Sequence, residues 1–543
     1  MIQLEQITLL PQEDEGMLRT RACKKLGIGE KDLLELQILR QVLDARQKGN
    51  IFFRYTVAVK VKGEERLLRR LAGKKGICRY EKKTISFPAQ PAKSQERPVV
   101  VGFGPAGMFA AYVLAKAGLC PIVLERGGDV DSRQAAVDAF WKSGKLCAEN
   151  NVQFGEGGAG TFSDGKLTAR TKDSRSRFVL ETLVHFGAPE EILYSYRPHV
   201  GTDLLKDVVR RMREDIIKRG GEVRFFSKMT DFRVENGQVK GVQWNGKDWI
   251  QTQDLVLALG HSARDTFTLC YEKGLRMEQK PFAMGVRVEH LQKEIDRMQF
   301  GSFCEEKSLI PASYQLTAQT ADGRGVYTFC MCPGGFVVNA SSEEGRLAVN
   351  GMSYHARDGE NANSALLVQV WPADFPSDHP LAGMEWQREV EEAAFLAGGG
   401  NGYAPAQRLG DFLADRPTVS FSRVKPTCRP GVQMCALSQV LPEVLVGALK
   451  EGILAMDHKW PGFAAEDAVL TAVESRSSSP VRLLRQKETL QAEGIGGLYP
   501  AGEGAGYAGG IVSAAVDGVR VAEKIWESHL PKEMDGTKGG RGI

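Results

Sequence analysis

No apolar run long enough to cross a bilayer, roughly eighteen residues, occurs in this sequence, so no transmembrane helix is expected. The opening "MIQLEQITLLPQEDEG" has neither a basic start nor a cleavage site, so no secretory signal is expected and a cytoplasmic location is the default. The ten cysteines include no CxxC pair. That argues against a zinc site or a thioredoxin-like dithiol and fits reduced thiols; no metal is expected. Nor does one sign of charge dominate: 71 Lys+Arg meet 67 Asp+Glu. The distribution is uneven, however. Residues 1–97 carry 21 Lys+Arg against 12 Asp+Glu, and the remainder 50 against 55. A basic N-terminal module can meet RNA, an acidic partner or an anionic substrate, or it is a solvated surface.

Glycine is plentiful, with 60 in 543 residues, and the composition of 42% hydrophobic and 25% charged residues is globular. The length suggests roughly two to four domains. Residues 1–87 read as a small α+β module. "IQLEQITLL" and "IFFRYTVAVKVKG" are strand-like, "MLRTRACKKLGI" has helical spacing, and "ERLLRRLAGKKG" reads as a helix ending at glycine. The proline-rich residues 88–97 read as a linker.

"PVVVGFGPAGMFAAYVLAKAGLCPIVLER" then gives a buried strand, a glycine turn, an apolar helix and a second strand, one βαβ unit. In it, Gly102 permits the tight turn, Gly104 lets backbone approach a pyrophosphate, and Gly107 lets the helix pack on the strand. Pro105 and Ala106 open the helix, whose amides and positive dipole end face the phosphates. Glu125, followed by Arg126, ends the second strand. A carboxylate there accepts from both ribose hydroxyls and repels a 2′-phosphate, which favours FAD or NAD over NADP.

The segments after Arg126 favour FAD. The loop "FGEGGAGTFSDGKL" offers backbone amides to an extended anionic cofactor through Gly157, Gly158, Gly160 and Thr161, with Lys166 placed to balance a reduced flavin, or it is a surface loop. A meander with turns at Asn236-Gly237 and Asn245-Gly246 leads to a buried strand, "DLVLALG", ending at Gly260. This order is typical of FAD domains resembling glutathione reductase and foreign to NAD dehydrogenases.

A second GxGxxG, Gly504 to Gly509, lies in "LYPAGEGAGYAGGIVSAA". Glu503 precedes it, and a carboxylate is a poor neighbour for a pyrophosphate but a good acceptor for polyol hydroxyls. No strand with a ribose-binding acid follows in this sequence. The stretch is therefore expected to return to the first site. Gly502 and Glu503 would hold the ribitol, and Gly509, Gly510, Ile511 and on to Ser513 would face the flavin pyrimidine ring, where amides stabilise negative charge.

The stretches "LALGHSARDTF", "KPFAMGVRVEH", "GVYTFCMCPGGFVVNASSEEG", "VNGMSYHARDGENANSAL", "VESRSSSPVR" and "GLYPAGEGAGYAGGIVSAAVDG" resemble a bacterial family of uncharacterised FAD-dependent, or NAD(FAD)-utilizing, dehydrogenases. The resemblance runs over nearly the whole chain. It implies an α/β architecture: a Rossmann-like FAD-binding domain of the glutathione-reductase type with an inserted α+β domain, beside the N-terminal module. On this plan residues 98–270 and 466–530 form the FAD-binding domain, 271–465 the inserted substrate or cap domain, and 531–543 a disordered tail. The resemblance implies no settled substrate.

Candidates for chemistry are His261 and Arg264 in "GHSARD", as proton relay and anion holder, or as loop hydrogen-bonders. Arg287 and His290 in "GVRVEH" are placed to line a cavity under the insertion. Cys330 and Cys332 in "FCMC" share a face if the stretch is a strand, although a disulfide between i and i+2 is strained. Tyr354, His355, Arg357 and Asp358 crowd one short loop, for substrate or as a well-bonded turn. The expected function is an FAD-dependent oxidoreductase acting through non-covalently bound FAD on a small-molecule substrate. With one full Rossmann unit visible, any NAD(P)H donor binds transiently. A flavin-dependent RNA-modifying enzyme using the basic module, and a non-catalytic flavoprotein sensor or assembly factor, are the alternatives.

Overall fold

The computed structural model describes residues 1–47, 49–82, 96–168 and 173–530. Most of the expected linker and the tail from 531 lie outside the described residues.

The N-terminal module is a four-stranded sheet in the order Leu33–Asp44, Phe52–Val61, Ile2–Leu9, Ile77–Arg79. Phe52–Val61 alternates half-buried and buried positions, as a strand with one covered face must. Helices Met17–Leu26 and Glu64–Arg70 bring buried Leu18, Leu26 and Leu67 to that face. Two details differ from the sequence-based expectation. The long strand Leu33–Asp44 has no counterpart among the expected strands, and the second helix stops at Arg70, short of Gly73.

The next unit is a five-stranded parallel sheet ordered Leu498–Pro500, Leu255–Leu257, Val99–Val101, Ile122–Leu124, Glu222–Arg224. All its strands but Glu222–Arg224 read as short, fully buried apolar runs because both faces are covered. Helices Pro105–Lys116, Thr202–Lys218 and Ile511–Ser528 contribute to the core on one face. The meander Met229–Glu235, Gln238–Trp244, Asp248–Gln251 contributes to the other, with its turns at the two expected Asn-Gly pairs.

Between the two halves of this sheet lies a seven-stranded sheet around Phe282–Leu291, whose first nine residues are all buried. Its neighbours are Asn361–Val370 and Val469–Glu474, both antiparallel to it. Val469–Glu474 moves the insertion's end from the expected 465 to Glu474, because that strand pairs inside the insertion's sheet. Among the described residues no helix is long and apolar enough to cross a membrane.

Candidate functional site

A cavity of about 1260 Å³ opens at the carboxyl ends of the parallel strands. This is the edge at which open α/β sheets take ligands. Strands Val99–Val101 and Leu498–Pro500 lie on either side of Leu255–Leu257, so the two glycine loops after them are neighbours in space. Both lean on one segment. A Cβ at Gly102 would stand 2.3 Å from the Ala258 carbonyl oxygen, and one at Gly504 would stand 2.3 Å from that of Gly260. Any larger residue at either position forces the loops off that segment.

The helices after the loops pack side by side. A Cβ at Gly518 would meet the Ala106 carbonyl oxygen at 2.0 Å, and a Cβ at Gly107 would meet that of Gly102 at 1.9 Å. Neither helix start has a side-chain cap: Gly104 precedes Pro105–Lys116, and Gly510 precedes Ile511–Ser528. Gly104, Ala106, Gly510 and Ile511 line the cavity, so two uncapped N-termini open into one space.

Each loop is tied by a buried carboxylate. Glu125 accepts from the Phe103 amide at 2.8 Å and from the Gly127 and Gly155 amides at 2.9 Å. Asp517 accepts from the Gly502 amide at 2.8 Å and pairs with Arg485 at 2.7 Å. Arg126 is fixed beside Glu125 by Glu149 at 2.6 Å and Asp265 at 2.9 Å, with its guanidinium over the Phe154 ring. Gly158, Gly160, Lys166, Gly260, Glu503 and Gly509 also line the cavity, whereas Gly107, Gly157, Thr161 and Gly502 do not.

The candidates for chemistry divide. His261 lines the cavity with Nδ1 3.6 Å from Glu503, and both its ring nitrogens are buried without a hydrogen-bond partner. Cys330 lines the cavity, and Cys332 is fully buried beneath it. Arg264 is not at the cavity. Its guanidinium is locked between Glu391 and Glu343, both at 2.8 Å, because burial demands paired charge. Arg287 is likewise buried, 3.3 Å from Glu474, and lies under the cavity wall. His290 bonds to the Phe463 carbonyl at 2.8 Å among aromatic rings, away from the cavity. Of the loop Tyr354 to Asp358, only Arg357 reaches the cavity; it pairs with Asp164, whose carboxyl is held well below its usual range, against the effect of burial, by Lys166 and Arg357.

Several lining residues carried no sequence signal. Tyr196 and Tyr314 have hydroxyls buried without partners, and Arg197, between Tyr196 and Pro198, has no carboxylate within ion-pair distance among the described residues. Burial pushes the Arg197 pKa down, with Arg357 adding to the effect. Glu474 lines the wall too, its pKa raised to about 7 by burial.

Residues 281–477 match the family described as FAD-dependent protein, C-terminal domain-like, and residues 1–60 match a domain of unknown function. An uncharacterized protein of Clostridium beijerinckii (strain ATCC 51743 / NCIMB 8052) is 50% identical over 98% of this chain and its own full length. The chain belongs to the same family, and its cofactor is FAD. The flavoprotein also shares slight likeness with solved structures. Glycine oxidase from Bacillus cereus ATCC 14579 is 11% identical over 81% of this chain and 99% of its own, with a TM-score of 0.30. The glycerol-3-phosphate dehydrogenase from Bacillus halodurans complexed with FAD is 11% identical over 81% and 65%, with a TM-score of 0.32. Likeness at that level carries no argument about fold detail or reaction.

Proposed function

We propose that this flavoprotein is an oxidoreductase with a glutathione-reductase-type FAD domain, holding one FAD non-covalently between its two glycine loops. The observation that carries the reading is the pair of uncapped helix N-termini opening into a single cavity. One sits where a pyrophosphate belongs and the other where a reduced ring needs positive potential. The residues fit the group. A Cβ at Gly509 or Gly510 would meet nothing within 4 Å, so the space before the second helix is clear. The buried His261 nitrogens point to missing polar partners.

FAD supplies the hydride or electron-pair chemistry; the chain's residues bind, orient and exclude water. Gly104 and Ala106 would present amides to the pyrophosphate. Glu125, already holding three amides, retains one acceptor site, on Oε2, for a ribose hydroxyl. Glu503 would accept from the ribitol, with His261 beside it to move a proton. Gly510 to Ser513 would face the pyrimidine edge, and Lys166 would add positive charge. A nicotinamide donor, where one is used, would bind transiently over the ring.

The purified protein is expected to carry a flavin spectrum, or to gain one on reconstitution with FAD. Anaerobic addition of NADH, NADPH or a panel of small donors should bleach it. A colourless protein that cannot be reconstituted overturns the FAD seat, and a flavin that no donor bleaches overturns the oxidoreductase reading.

A further inference from the structure

Cys330 and Cys332 stand where strand Gly325–Cys332 is broken. Its pairing with Asn361–Val370 slips between Phe329 and Cys332, and Cys330 is left-handed at φ 45°. In a regular strand residues i and i+2 stand roughly 6.6 Å apart, near the upper limit at which a disulfide closes. The bulge changes this. The Cys332 Sγ lies 3.2 Å from the Cys330 carbonyl oxygen, so the second thiol folds back onto the first cysteine.

The surroundings are cationic. Arg287, with no exposed side-chain surface, puts Nη2 2.9 Å from the Cys330 carbonyl and 3.7 Å from the Cys332 sulfur. Lys166 donates to the carbonyl of Met331, the residue between the cysteines. The hydrogen bond from Cys332, together with Lys166 and Arg287, holds the Cys330 thiol below its ordinary range. Cys332 is pushed up by the same hydrogen bond and by burial. Glu474 stands on the far side of Arg287 at 3.3 Å.

We propose that Cys330 and Cys332 form a dithiol–disulfide couple that exchanges an electron pair with the FAD of this cavity. The proposal rests on the reading that FAD sits there. In the oxidising direction the two sulfurs lose their protons and one S–S bond forms. Two electrons and one proton reduce the oxidised flavin to its anion, and the second proton leaves to solvent by way of Glu474. The reverse balances in the same way, with reduced flavin as the donor. A ring closed across one intervening residue is strained, so its disulfide is easily reduced, which suits exchange rather than a structural bond. Cys330 faces the cavity while Cys332 lies behind it. Cys330 would therefore be the sulfur nearer the flavin, and Cys332 the resolving partner.

The test is an anaerobic dithionite titration of the air-oxidised holoprotein, with thiols counted by alkylation under denaturing conditions before and after. Wild type should take up four electrons per bound flavin and reveal two additional thiols, which peptide mapping places at residues 330 and 332. Cys332→Ser and Cys330→Ser should retain flavin and take up two. Two electrons per flavin in wild type, with both cysteines alkylated before reduction, overturns the couple and leaves the FAD seat standing. Absence of bound flavin overturns the FAD seat, and the couple with it. The thiol count on wild type decides even where a variant fails to fold.

Discussion

The two GxGxxG stretches share a spacing and do different work. In the first, the helix begins between the second and third glycines, at Pro105, so Gly107 lies inside it and against the Gly102 carbonyl. In the second, the helix begins only at Ile511, beyond all three glycines, and Gly509 faces open space. The first spacing is set by packing of a helix onto its own strand. The second is set by a loop that leans on Gly260, turns at Gly506, and delivers a helix start to a cavity wall. Spacing alone therefore does not make a dinucleotide site. The position of the helix start relative to the glycines does.

Exchanging the third glycine of each motif should break the symmetry most. Gly107→Val places side-chain atoms where the Gly102 carbonyl stands, and should cost more than about 3 kcal/mol and abolish FAD retention. Gly509→Ala should leave the melting temperature within about 2 °C, because its Cβ meets nothing. Thermal melts with the flavin-to-protein ratio read both; equal losses at the two sites would break the comparison.

The anchors come next. Glu125→Gln leaves one acceptor oxygen where three amides converge, and should cost about 2–3 kcal/mol. FAD affinity should fall at least tenfold, read by fluorescence titration of apoprotein. Asp517→Asn should destabilise the fold by about 1–3 kcal/mol, since Arg485 loses its partner, with a smaller loss of affinity. The ratio of affinity loss to stability loss separates an anchor that also meets ligand from one that only holds a loop.

Acid provides a milder probe of the surroundings of Lys166. His199 bridges to Lys166, and burial, with the Arg357 cation, holds its pKa at about 4 against an ordinary 6.5. The unfolded chain takes up a proton below the ordinary value that the folded one refuses. Stability should thus be flat above that value and fall as pH drops from about 6.5 to about 4, by about 2–3 kcal/mol from this group. His199→Asn should flatten that part of a urea-denaturation profile; an unchanged slope would remove His199 as its source.

Much of the frame was legible in the residues. The βαβ unit, both Asn-Gly turns and the loop order around the cavity follow from local pattern, because unbroken valines and glycine turns permit few alternatives. Leu33–Asp44 was not legible: its leucines, glutamate and arginine suit a helix as well, and pairing with Phe52–Val61 decides the matter. The pairing of Val469–Glu474 with Phe282–Leu291 was hidden for the same reason, since only the partner strand tells where it lies. At the site, "GHSARD" put His261 and Arg264 in one motif. Three residues of chain turn one toward the cavity and the other into an ion pair with Glu391, a partner more than a hundred residues away. Arg197, Tyr196 and Tyr314 carry no local signal, because only the tertiary fold gathers them.

We propose that two loops grip one FAD from opposite ends. A crystal structure of the protein with FAD tests it most directly. The account predicts one FAD per chain, its pyrophosphate at Gly104 and Ala106 and its pyrimidine edge at Gly510 to Ser513. A second nucleotide at Gly504 to Gly509, or an FAD that leaves the start of the Ile511 helix untouched, would contradict it.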